Sequence, residues 1–166
     1  MNPLANGINR LCETTGKLTS FLALPLVLVV VYEVFMRYVF NAPTSWGFEA
    51  TTFIYGIHFI LGLSYTYKHN GHVAIDVFEA RLQPRTRVIL RIIVSLVLFI
   101  PTVGLLATYG IIYAASSWSQ WEHASTSWAP AIYPFKSIMA LGFVLLFLQG
   151  VAKLIEDFKS LGQNGH

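Results

Sequence analysis

The chain has 166 residues, of which 55% are hydrophobic and 11% are charged, with a formal net charge of +3 and a mean hydropathy of +0.58. A soluble domain carries about 25% charged residues, so a water-soluble fold of this composition would lack a polar surface. The length allows several spanning helices of about 20 residues each but no additional soluble domain. We therefore expect a single all-α integral membrane domain over residues 1–166.

The positive charge does not indicate a nucleic-acid-binding protein. The basic residues lie at the ends of apolar runs and do not form a stripe with interleaved aromatic residues. Cys12 is the only cysteine, which excludes an internal disulfide, a dithiol redox motif and a cysteine-based metal site. The charge is better explained by membrane topology.

Four apolar runs predict four transmembrane helices, which cover about residues 18–40, 47–67, 88–114 and 131–152. Pro25 lies in the first run and predicts a kink there. The connection between the first two spans is so short that they must be antiparallel neighbours. The third run is longer than a bilayer requires, so we expect it to tilt or protrude.

Glu33 and Arg37 lie four residues apart in the first span, on one helix face. One interpretation is an ion pair satisfied within the helix. Another is that the pair, together with Glu49 and Lys136, faces another protein chain or a water-filled path. A proton relay is a third interpretation, which is disfavoured because the neighbouring arginine would hold the carboxylate ionised.

The second span begins at Gly47, and we expect Ser45 to cap it. Glu49 falls in its first turn, where the positive end of the helix dipole favours a carboxylate. In the polar interval that follows, over about residues 73–83, the apolar residues share one helical face and the polar residues share another. This pattern predicts a short amphipathic helix in the headgroup region, ended by Pro84.

The third span carries small residues at three- and four-residue spacing, which form a narrow stripe for close helix packing: Gly104, Ala107, Gly110 and Ala114. The next connection contains three tryptophans and no Lys or Arg, as is typical of an interfacial aromatic belt. The cations elsewhere cluster in the two terminal segments and in the 68–91 interval. Both termini and that interval are therefore predicted to face the cytoplasm, with Arg37 and Lys136 near the opposite ends of their helices.

No nucleophile, phosphate-loop or paired-carboxylate motif is present, so we expect neither an enzyme nor catalytic residues. Haem held between spanning helices needs imidazoles at matching depth, and only His58 lies well inside a predicted span. We expect His58 to bond a Ser, Thr or carbonyl of a neighbouring helix, with no metal and no cofactor. A four-helix redox protein of the haem b type, with His58 as a ligand, is the alternative.

The segment Tyr32–Glu49 and the sequence GHVAID at Gly71–Asp76 resemble the small membrane subunit of tripartite ATP-independent periplasmic (TRAP) transporters, the DctQ-like family. The residues that carry the resemblance are Arg37, Tyr38, Phe40, Asn41, Pro43, Trp46, Glu49, His72 and Asp76. Related sequences often have an acidic pair after the tryptophan. Here Phe48 precedes Glu49, so a role that needs two carboxylates is not carried over.

The resemblance implies a static scaffold subunit in the cytoplasmic or inner membrane of a bacterium or archaeon. Its partners would be a large DctM-like membrane subunit, which holds the substrate and sodium sites and moves as an elevator, and a periplasmic binding protein that delivers an organic acid. The lipid bilayer would surround both membrane subunits. The candidate interface or structural polar residues are Glu33, Arg37, Asn41, Trp46, Glu49, His72, Asp76 and Lys136.

Overall fold

The computed structural model describes residues 3–69 and 83–163, and these residues form an all-helical protein. The helices are α1 (Pro3–Ser20), α2 (Ala23–Tyr38), α3 (Gly47–Lys68), α4 (Pro84–Val94), α5 (Ile100–Ser119) and α6 (Tyr133–Gln163). A π-helical turn, Ser95–Phe99, joins α4 to α5. The predicted amphipathic segment at about 73–83 lies outside the described residues, apart from Gln83.

Among the described residues, three helical segments are long and apolar enough to cross a membrane. They are Ala5–Tyr38 with 34 residues, Arg85–Ser119 with 35 and Tyr133–Leu161 with 29. The predicted second span is also a helix, the 22-residue α3, but it is less apolar than the other three. Polar side chains such as Thr51, Thr52 and His58 account for that difference.

The first long helical segment breaks at Phe21 and Leu22, between α1 and α2. Proline has no amide hydrogen, so Pro25 cannot donate to the carbonyl of Phe21, four residues earlier. That carbonyl accepts from the Leu24 amide instead, at 3.3 Å. The proline therefore sets the position of the break. The helical structure itself begins at Pro3, well before the predicted start at Leu18.

Pro101 has a different effect in the third span. The π-helical turn lies just before it, and the amide of Ile100 donates to the carbonyl of Ser95, five residues earlier. The ring of Phe99, at the end of this turn, stacks on Tyr67 of α3 with 4.3 Å between ring centroids. A Cβ atom at Gly150 of α6 would lie 2.2 Å from the Phe99 ring. The proline thus accompanies a local change of helix winding, and Phe99 links three helices.

Helix α6 is the centre of the bundle, because it packs against α1, α3, α4 and α5. Its contact with α3 is close: a Cβ atom at Gly142 would lie 2.7 Å from Cγ1 and 3.0 Å from the carbonyl oxygen of Ile60. Helix α2 is at the other extreme. It contains no buried residue, and its main contacts are with α3.

The small residues of α5 face α6 within this chain. Ala107, Gly110 and Ala114 are buried, and a Cβ atom at Gly110 would lie 3.5 Å from the Cα atom of Ala140. A Cβ atom at Gly104 would lie 3.3 Å from the ring of Phe147. Side chains of this size let the two helix backbones approach closely. The stripe is therefore used for packing inside the subunit.

Gly142→Ala should destabilise the fold, because the added methyl group would meet a backbone carbonyl that cannot rotate away. Overpacking of this kind costs about 1–3 kcal/mol of unfolding free energy. Thermal unfolding in one detergent, followed by circular dichroism, measures the effect. Gly62→Ala is the matched control, since a Cβ atom there would meet nothing within 4 Å. Equal melting temperatures for the two variants would contradict the close α3–α6 contact.

Candidate functional site

The carboxylate of Glu33 ties α2 to the connection that leads into α3. Its Oε1 atom accepts from Nη2 of Arg37 at 2.8 Å, and its Oε2 atom accepts from the Thr44 hydroxyl and from the Thr44 amide, the latter at 3.3 Å. The side chain of Glu33 is 12% exposed, whereas that of Arg37 is 54% exposed. The predicted ion pair therefore exists, and Thr44 is an additional partner that the sequence did not indicate.

The same hydrogen-bond network also supplies an acceptor for an amide at the start of α3. The amide of Gly47 donates to the hydroxyl oxygen of Thr44 at 3.1 Å, whereas the N-cap residue Trp46 makes no side-chain capping bond. The prediction that Ser45 caps α3 is therefore wrong. The Thr44 hydroxyl oxygen accepts the hydrogen bond from the Gly47 amide instead. A Cβ atom at Gly47 would lie 2.5 Å from Oγ1 of Thr44 and 2.6 Å from Oε2 of Glu33. Only glycine fits this position without displacing the network.

Two other residues of the candidate set shape the same connection. Asn41 has a φ angle of 50°, in the left-handed region that asparagine tolerates better than most residues. The Trp46 ring stacks on that of Tyr32 in α2, with 5.9 Å between centroids. Both features support the sharp turn that makes α2 and α3 neighbours.

Glu49 is not part of this network. It is 9% exposed, and its Oε2 atom has no hydrogen-bond partner among the described residues. One turn further along α3, Phe53 stacks on Phe135 of α6, with 4.8 Å between centroids. Because residues four apart share a helix face, Glu49 lies on the side of α3 that faces the start of α6.

Lys136 forms a separate cluster between α5, α6 and their connection. It is 6% exposed, forms an ion pair with Oε2 of Glu122, and lies 3.8 Å from the ring centroid of Tyr113. The hydroxyl of Ser117 donates to the same carboxylate oxygen at 2.7 Å. These two hydrogen bonds hold the pKa of Glu122 below its ordinary value of 4.5. The structure thus pairs Lys136 with Glu122 and does not join it to Glu33.

A third polar cluster, which the sequence did not indicate, connects α1, α3 and α6. Glu13 accepts from Lys68 at 2.6 Å, from Lys17 at 2.9 Å and from His69 at 3.0 Å. Nearby, the side chain of Asn9 bridges two α6 side chains, Gln149 and Glu156, with both bonds 2.8 Å long. The sequence signal for this cluster was the four-residue spacing of Asn9, Glu13 and Lys17 on α1. His72 and Asp76 lie outside the described residues.

His58 bonds a backbone carbonyl of a neighbouring helix. Its Nδ1 atom lies 2.8 Å from the carbonyl oxygen of Thr19, at the end of α1 just before the helix break. Within residues 3–69 and 83–163, no group of three or more His, Cys, Asp or Glu side chains is placed to hold a metal ion. The contact to Thr19 links the middle of α3 to the end of α1.

These features define a multi-pass helical membrane protein whose main ion pairs close within its own bundle. A sequence profile of the DctQ component of tripartite ATP-independent periplasmic transporters matches residues 26–160, so the chain belongs to that family. A curated relative is the C4-dicarboxylate TRAP transporter small permease protein DctQ of Vibrio cholerae, 25% identical over 105 residues. The match covers 63% of this chain but 42% of that relative, which is less than half of its length.

Substitutions in the Glu33 network should destabilise the protein in a fixed order. Gly47→Ala should lower the melting temperature most, because the new methyl group would displace both Thr44 and Glu33. Glu33→Ala should follow, since it leaves Thr44 and Arg37 without their acceptor. Arg37→Ala should have the smallest effect, because the carboxylate keeps its Thr44 donors and the lost guanidinium is half exposed.

The three variants are compared by thermal unfolding with Thr52→Ala as the control, since the exposed Thr52 hydroxyl bonds only the carbonyl of Phe48 in its own helix. A larger loss in Arg37→Ala than in Glu33→Ala would show that the arginine, and not the carboxylate, organises the connection.

Acid should weaken the attachment of the α5–α6 connection. Because the pKa of Glu122 is lowered in the folded protein, its ion pair stabilises the fold above pH 4.5 and ceases to do so as the pH falls through the folded-state pKa. Glu122→Gln should therefore melt below wild type at pH 7, and the difference should shrink as the pH falls below 4.5. Melting curves of both proteins from pH 7 to pH 3 test this. A difference that does not change with pH would contradict the ionic role of Glu122.

Proposed function

We propose that the chain is the non-enzymatic small subunit of a TRAP transporter, which pairs with a large DctM-like membrane subunit and stabilises it in the membrane. The family assignment over residues 26–160 is the observation that carries the proposal. The large subunit would transport an organic acid that a periplasmic binding protein delivers, with sodium as the coupling ion. The name of the Vibrio relative specifies a C4-dicarboxylate, which makes that class the first substrate to test.

The polar clusters support a scaffold role. Glu33, Glu122 and Glu13 each accept from a cation and from at least one further donor of the same chain. Side chains that are paired in this way hold helices and connections together, and they are poorly suited to bind and release a substrate. A scaffold needs this kind of rigidity.

The apolar surface supports assembly in a membrane. Helix α2 has no buried residue, and large apolar side chains are exposed along it, among them Leu24, Leu28, Val31 and Phe35. We propose that α3 crosses the bilayer beside α2, α5 and α6, which makes four spans. The positive-inside rule then places both termini in the cytoplasm of a bacterial or archaeal cell and the α2–α3 connection on the periplasmic side of its inner membrane.

The redox alternative has less support. With His58 as one axial ligand, a haem of the b type would need a second imidazole at the same depth, and the other described histidines, His69 and His123, lie at the end of α3 and in the α5–α6 connection. The family assignment also concerns a transport component. An absorption spectrum of the purified protein with a Soret band would revive the redox interpretation.

Co-expression with the large subunit tests the proposed function. We expect a tag on this chain to recover the large subunit from detergent extracts, and we expect sodium-dependent uptake of a C4-dicarboxylate into proteoliposomes to need both subunits and the binding protein. Vesicles with the large subunit alone are the control. Full uptake in that control would contradict a required small subunit.

A further inference from the structure

A groove lies between α1 and α3 at the level of the helix break. Its lining combines the larger side chains of Phe59, Leu63 and Tyr65 with small and polar residues, which include Gly16, Thr19, His58, Gly62 and Thr66. Phe59, on its edge, is 53% exposed. A Cβ atom at Gly62 would meet nothing within 4 Å, so the groove is open at this residue.

The threonine and serine hydroxyl groups around the groove already have acceptors. Thr19 donates to the carbonyls of Thr15 and Gly16, Ser20 to that of Lys17, and Thr66 to that of Gly62. These bonds stay within the turn that carries each residue. The hydroxyl hydrogens therefore do not serve the imidazole that shares the groove with them.

Of the two ring nitrogens of His58, Nδ1 has a hydrogen-bond partner and Nε2 has none among the described residues. A carbonyl oxygen can only accept, so the hydrogen of the His58–Thr19 bond must be on Nδ1. In the neutral ring, Nε2 is then an acceptor. No described side chain or amide donates to it.

The position of His58 limits what could serve this acceptor. The residue lies near the middle of the 22-residue α3, so in a spanning α3 the groove opens at the depth of the hydrocarbon core. Lipid chains have no hydrogen-bond donor, and polar groups at this depth are satisfied by neighbouring helices. A glycine in the floor lets such a helix approach closely enough for a side chain to reach the ring.

We propose that this groove receives a transmembrane helix of the large subunit, which donates a hydrogen bond from a Ser, Thr, Asn, Tyr or Trp side chain to Nε2 of His58. The inference rests on the proposed function, because it takes α3 to span the membrane and the large subunit to be the partner. It adds the contact surface and the chemistry of the partner side chain.

Gly62→Leu tests the groove without disturbing the fold. The leucine side chain would enter open space, and leucine has a higher helix propensity than glycine, so the isolated subunit should fold and melt like wild type. In the co-expressed complex it should occupy the place of the incoming helix and reduce recovery of the large subunit at least about tenfold. Gly7→Leu is the matched control, because a Cβ atom at Gly7 also meets nothing within 4 Å.

A second measurement identifies what touches the groove. A photo-crosslinking amino acid at position 62 should attach to the tagged large subunit, and the same amino acid at position 7 should not. Unchanged recovery of the large subunit with Gly62→Leu, or crosslinking at position 62 to lipid only, would overturn the groove assignment while wild-type co-purification still supports the proposed function. Failure of the wild-type chain to recover the large subunit would overturn both.

Discussion

A polar or charged side chain among apolar helices must find its partner within the protein, because lipid offers none. This constraint accounts for much of the architecture. The carboxylate of Glu33 is satisfied by Arg37 and Thr44, and in meeting that need it closes the α2–α3 connection. Lys136 is satisfied by Glu122, which holds the α5–α6 connection against the bundle. The Glu33–Thr44 hydrogen bond and the Lys136–Glu122 ion pair thus each join a helix to a neighbouring connection.

Close packing around α6 is the second organising feature. Its glycines meet side chains of other helices directly: Gly142 meets Ile60 of α3, and Gly150 meets Phe99 at the end of the π-helical turn. The small residues of α5 pack on the opposite side, with Gly110 against Ala140. Apolar burial provides little driving force between helices in lipid, so contacts at this distance supply dispersion energy instead. Helix α6 is consequently the element to which α1, α3 and α5 are attached.

Some polar side-chain atoms, among them the buried Oε1 atom of Gln149, have no hydrogen-bond partner within the described residues. Nε2 of His58 lines an open groove, and Oε2 of Glu49 is buried on the side of α3 that faces α6. The His58 atom can be reached from outside the bundle, whereas the Glu49 atom is covered. This difference in access is why we assign the groove at His58, and not the site at Glu49, to a partner.

The all-helical membrane class, the family, the Glu33–Arg37 pair and the small-residue spacing of α5 could all be predicted from the sequence. Each of these depends on composition or on spacing within one helix, which the sequence states directly. Three features became visible only in the folded chain. Lys136 pairs with Glu122, Thr44 and not Ser45 accepts from the amide at the start of α3, and Asn9 and Glu13 bind α1 to other helices. Those contacts join residues of different segments, and their partners depend on how the helices are packed, which periodicity within a single helix does not specify.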